Sequence, residues 1–129
     1  MRRERVVAVK RVLIADDTEV MRMMIRMALE SAGFSIVGEA LDGAQAVAMY
    51  HELRPDVVTL DITMPHKDGI EACCEILAAD PQARIVMVTA LGHEDRIRAA
   101  VRAGARDFIV KPFEPERIIK AVKKACGLP

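Results

Sequence analysis

The sequence predicts a doubly wound α/β domain, a parallel five-stranded sheet with helices on both faces. Three observations predict it. Short β-branched runs alternate strictly with helical periods, five of each. The strand runs are apolar with little interruption, as expected where a sheet is covered on both sides. Each is separated from the next by a helix-length segment, so neighbours pair in parallel through right-handed crossovers.

Val12-Leu13-Ile14-Ala15 reads as the first strand and stops at Asp16-Asp17. Residues 19–32 follow as a helix, with polar Glu19, Arg22, Arg26 and Glu30 at three- and four-residue steps and Gly33 as its C-terminal cap. Residues 35–40 form the second strand, and Asp42-Gly43 caps a helix that Pro55 stops near Leu53. The third strand, 56–60, ends at Asp61, and a loop over 62–69 precedes a helix from about Ile70 to Ala79, halted by Asp80-Pro81. The fourth strand spans 84–89 and a helix over 94–103 ends at Gly104. Residues 107–110 are the fifth strand, and the last helix runs from about Pro115 to Cys126.

With 129 residues and 14.2 kDa the chain holds one compact domain, and its 52% hydrophobic and 29% charged content excludes a disordered protein. No apolar run approaches the roughly 20 residues needed to span a bilayer. The basic start is interrupted too early for a secretory signal, so a cytoplasmic protein is expected. Cys73, Cys74 and Cys126 form no metal or redox spacing and read as packing residues. Met21, Met23, Met24 and Met27 read as flexible core filling, and His51, His66 and His93 as surface positions. Net charge is zero but unevenly spread. Residues 1–11 hold five Lys/Arg against one Glu (+4), 12–91 hold five against thirteen acids (−8), and 92–129 hold nine against five (+4).

The strands end in unlike residues. Asp16-Asp17, Asp61, Thr89 and Lys111-Pro112 stand at the carboxyl ends of strands one, three, four and five. In open α/β sheets that edge is where ligands bind. Three carboxylates there repel one another and call for a cation. All-oxygen ligands select a hard divalent ion, Mg²⁺ or Mn²⁺, which retains water that a phosphate can displace. A carboxylate beside such an ion is a plausible nucleophile toward phosphorus, with Lys111 and Thr89 placed to meet phosphoryl oxygens. Singly, each residue has a plainer reading: Asp16 and Asp17 fit a helix cap, with Glu19 completing a capping-box spacing, and Lys111 a solvated charge. Their convergence on one rim favours the site.

The segments Val12-Leu13-Ile14-Ala15-Asp16-Asp17, Asp56-Val57-Val58-Thr59-Leu60-Asp61-Ile62-Thr63-Met64-Pro65, Val88-Thr89-Ala90 and Phe108-Ile109-Val110-Lys111-Pro112-Phe113 together resemble the response-regulator receiver family of two-component signalling. The likeness covers residues 11–126, and is greatest to stand-alone, chemotaxis-type members. It implies a flavodoxin-like (βα)5 fold with strand order 2-1-3-4-5, a receiver domain over 10–127, and a basic extension over 1–9. It also implies Asp61 as phosphoacceptor, Asp17 as a direct Mg²⁺ ligand, Asp16 as a partner largely through water, and Thr63 as a ligand through its backbone carbonyl. Lys111 and Thr89 read the phosphoryl oxygens, Lys111-Pro112 is a cis peptide, and Thr89 and Phe108 form the switch. Phe108 lacks the hydroxyl of a tyrosine, which excludes any phenolic role. Thr63 and Leu91 depart from common family residues along the path of a hydrolytic water.

The implied partners are a histidine kinase as phosphodonor and an output protein on the face of helix four, strand five and helix five, the flagellar switch being one such protein. Because the chain ends at Pro129, output is expected to go to another protein. Neither nucleic acid nor membrane is expected as a partner, and no enzymatic turnover beyond self-catalysed phosphotransfer and hydrolysis at Asp61. A phosphorelay intermediate is the nearest alternative. An aspartyl-nucleophile phosphatase would need a second Asp two residues after Asp61, where Thr63 stands. A flavodoxin-like flavin carrier would need a phosphate loop where Asp16-Asp17 stand.

Overall fold

The computed structural model describes residues 8–90 and 94–129. Five strands alternate with five helices: β1 (Arg11–Ala15), α1 (Glu19–Ser31), β2 (Ser35–Ala40), α2 (Gly43–Leu53), β3 (Val57–Asp61), α3 (Gly69–Ala79), β4 (Ile85–Ala90), α4 (Glu94–Ala103), β5 (Asp107–Lys111) and α5 (Pro115–Ala125). The strands form one parallel sheet in the order β2-β1-β3-β4-β5. The expected fold class and order are therefore found.

Alternation along the strands divides the core in two. Val12, Ile14, Val57, Val86, Val88 and Ile109 face α1 and α5, where they meet Ile25, Leu29, Ile118 and Val122. Leu13, Ala15, Val58, Leu60, Ile85 and Met87 face α2, α3 and α4, where they meet Tyr50, Ile76 and Ala100. A side-chain period of two produces this division directly. The central β3 is buried throughout, β1 and β4 are buried but for Arg11 and Ala90 at their ends, and β2 and β5, at the edges, are mostly half-buried.

Several local readings change. The capping box at Asp16 and Glu19 does not form: Thr18 is the N-cap of α1, without a side-chain cap bond. Asp16 instead accepts hydrogen bonds from the Thr18 amide (2.9 Å) and hydroxyl (3.0 Å). Asp42 does cap its helix, accepting from the Gln45 amide, and Asp68, expected in a loop, caps α3 by accepting from the Glu71 amide. Thus α3 starts at Gly69, just before the expected Ile70. The methionines are not core filling as a group. Met23, Met24 and Met27 are exposed because they lie on the solvent side of α1, opposite Ile25 and Leu29. Cys74 is likewise exposed, while Cys73 and Cys126 are buried. Gly104 ends α4 with φ of 115°, but Leu91, Gly92 and His93 lie outside the described residues, as does most of the expected basic extension.

Candidate functional site

Four parallel strands, β1, β3, β4 and β5, carry the rim. Ala15 pairs with Leu60 of β3, Asp61 with Val88 of β4, and Ala90 with Lys111 of β5. This register brings residues distant in sequence to one edge. Asp16 Oδ2 accepts a hydrogen bond from Lys111 Nζ at 3.0 Å, and the same ammonium lies 3.4 Å from Asp61 Oδ2. Asp16 and Asp61 are buried, 1% and 6% exposed, whereas Asp17 faces solvent. Thr89 is fully buried, and its hydroxyl donates to the carbonyl of Ala90 at 3.2 Å. The Lys111–Pro112 peptide bond is cis. Thr63 is exposed, and its backbone N–H donates to the Asp61 carboxylate. Phe108 packs partly buried against the α2/α3/α4 side of the core.

The electrostatics are strained by design of the site. Burial and then the nearby Asp16 push the Asp61 carboxyl up to about 6, against the opposing pull of Lys111 and the Thr63 amide. Burial works against the charge on Lys111, but the hydrogen bond from its ammonium to Asp16 and the charge of Asp61 hold it above the usual lysine range. Asp16, Asp17 and Asp61 can each offer a carboxylate oxygen with all three atoms within 4.8 Å of one another. At that distance each pair repels by about 3 kcal/mol at an effective dielectric near 20. One ammonium against three ionised carboxylates leaves a formal charge of −2, which a divalent cation would cancel. The donors are all oxygen, and one carboxylate is open to solvent for entry. The residues fit a Mg²⁺-type ion.

Two contributors were not foreseen. A side chain on Gly69 would collide with the carbonyl of Asp61, and the Gly69 amide donates to the carbonyl of Ile62 at 2.8 Å. The N-terminus of α3 thus packs directly under the phosphoacceptor candidate, which only glycine permits. The Asp68-Gly69 pair was the available signal, although it reads equally well as a simple turn. Arg22, in α1, donates to the Asp16 carbonyl at 2.9 Å. Nothing in its spacing announces that contact.

Residues 12–123 match the model of the response regulator receiver domain. The chain is 53% identical over 117 residues to the chemotaxis protein CheY of Bacillus subtilis, covering 91% of this chain and 98% of that one. To CheY of Thermotoga maritima it is 50% identical over 115 residues, covering 89% and 96%. Among solved structures, CheY in a CheX–CheY–BeF3–Mg complex from Borrelia burgdorferi superposes with a TM-score of 0.84 at 38% identity, over 89% of this chain and 87% of that one. The chain belongs to the response-regulator receiver family. Two-component signalling of the chemotaxis type is the function that this membership and these relatives carry. Among the described residues no helix is long and apolar enough to cross a membrane.

Proposed function

We propose that Asp61 is the phosphoacceptor of this regulator. The observation that carries the reading is Lys111 Nζ standing between Asp16 and Asp61 in a rim with a surplus of two negative charges. A carboxylate oxygen of Asp61 attacks phosphorus of a kinase phosphohistidine. The new O–P bond forms as the N–P bond breaks, and its electron pair returns to the imidazole. A bound Mg²⁺ or Mn²⁺, held by Asp16, Asp17, Asp61 and the Thr63 carbonyl, would neutralise the charge that keeps an anionic donor away. Lys111 meets a phosphoryl oxygen. Thr89, in the neighbouring strand, turns its hydroxyl from Ala90 toward the same group, and Phe108 follows inward.

The output surface is α4, β5 and α5. Val101 is exposed on α4 between the exposed Arg98 and Arg102, and α5 presents Lys120 and Lys124. This face suits an acidic, amphipathic segment of a partner such as the flagellar switch. The location is cytoplasmic, and turnover is limited to phosphotransfer to Asp61 and hydrolysis from it. To test the site, the protein is treated with a small-molecule phosphodonor and Mg²⁺, and the product mapped by mass spectrometry. One base-labile phosphoryl group should form on Asp61 and disappear in Asp61→Asn. Labelling that survives this substitution overturns the assignment.

A further inference from the structure

Asp16 is held at every polar atom. Its amide donates to the Ala40 carbonyl at 3.1 Å, Oδ1 accepts twice from Thr18, and Oδ2 accepts from Lys111. The remaining atom, its carbonyl oxygen, accepts from Nη1 of Arg22 at 2.9 Å. Arg22 is mostly buried, with its side chain 13% exposed, and its Nε lies 3.3 Å from Glu39 Oε1. The other oxygen of Glu39 accepts from Arg26 at 2.7 Å. A cation one turn into α1 sits at the wrong end of the helix dipole. Glu39, contributed by β2 beside Ala40, compensates it.

We propose that Arg22 is a positioning residue for the metal site, acting through the Asp16–Asp17 peptide. The inference rests on the metal-assisted reading above. The peptide group is planar, so a guanidinium fixed to the Asp16 carbonyl also fixes the plane from which Asp17 departs. Asp17 needs that help. It is exposed, and its side chain makes no hydrogen bond or ion pair among the described residues. Its aim toward Asp16 and Asp61 therefore comes from the backbone. Asp16 in turn directs Lys111, which reaches Asp61. Arg22 holds the carbonyl with one arm and Glu39 with another, a fork that lysine cannot reproduce.

The test is Mg²⁺ titration of the full chain and of Arg22→Ala, Arg22→Lys and Glu39→Gln, followed by amide NMR shifts, with thermal unfolding of each in metal-free buffer. Arg22→Ala should weaken Mg²⁺ binding about tenfold, as losses of outer contacts to metal ligands commonly do. Arg22→Lys and Glu39→Gln should weaken it less, in the same direction. In metal-free spectra the Asp17 and Thr18 amides should move while those of β5 stay. Parental affinity in all variants that fold overturns the proposal, even if their melting temperatures fall, because the role is then structural only. Tighter binding in Arg22→Ala also overturns it, since that is the result if the guanidinium acts merely by repelling the cation. A parent chain without any Mg²⁺ response removes the metal reading itself, and the proposal with it.

Discussion

The middle of the sheet and much of its carboxyl rim are both buried, and chemically they are opposite. Val12, Leu13, Ile14, Val57, Val58 and Leu60 are fully enclosed, and at the carboxyl ends of β1, β3 and β4 Asp16, Asp61 and Thr89 are buried as well. In the interior, removal from water is the main source of stability, about 25 cal/mol per Å² of apolar surface. On the rim, the same removal raises the Asp61 carboxyl and sets it against Asp16. Burial is therefore no measure of stabilisation by itself. The rim resembles a functional site in the general sense that its residues act against the fold they occupy.

The sharpest contrast comes from one substitution in each region. Leu13→Ala removes a fully buried side chain from the α2/α3 layer and should cost about 2–5 kcal/mol. The loss should appear as a lower urea midpoint with and without Mg²⁺. Asp61→Asn should do the reverse in metal-free buffer. The folded-state carboxyl titrates near 6 against an ordinary 3.8, so the native state binds the proton more tightly than the unfolded chain. That favours the folded protein fully below pH 4, and the advantage is lost as pH rises through 6. At pH 7 the ionised Asp61 then costs about 3 kcal/mol. Asp61→Asn should recover most of it, with a difference that shrinks below pH 4 and on adding Mg²⁺ to the parent. Equal stability of the two proteins from pH 4 to 8 would show that the rim is not strained.

The two regions were also unequally legible in the sequence. Continuous apolar, β-branched runs betray the interior because a strand covered on both faces, such as 57–61, buries every position, and the five units with their Gly and Pro punctuation follow. The rim was legible as residue types at strand ends, Asp16-Asp17, Asp61, Thr89 and Lys111. What failed was everything set by side-chain direction. Met23, Met24 and Met27 share the composition of core residues but face water, and a crowd of methionines says nothing about which side of a helix it occupies. Asp16 and Glu19 have capping spacing, yet Lys111 and Thr18 compete for the carboxylate and win. The Arg22 contact joins a side chain to a carbonyl six residues earlier, a pairing no periodicity encodes.

The smallest expected effect probes the boundary between the regions. Thr59 lies on β3 two residues before Asp61, on the sheet face shared with α1 and α5, and is in register with Ile14 and Val86. It is 1% exposed, and its hydroxyl makes no hydrogen bond among the described residues. A buried hydroxyl without a partner costs about 1–3 kcal/mol, and valine has nearly the same shape without the polar atom. Thr59→Val should therefore stabilise the protein by about 1 kcal/mol, measured by urea unfolding in metal-free buffer. The pH dependence of stability attributed to Asp61 should not move, because no hydrogen bond links the two side chains among the described residues. If Thr59→Val is instead destabilising, the hydroxyl has a partner, and a buried water is the simplest one. If the Asp61 titration shifts as well, that water connects the hydroxyl to the carboxylate. The rim would then begin at Thr59 and not at Asp61, one layer deeper into the sheet.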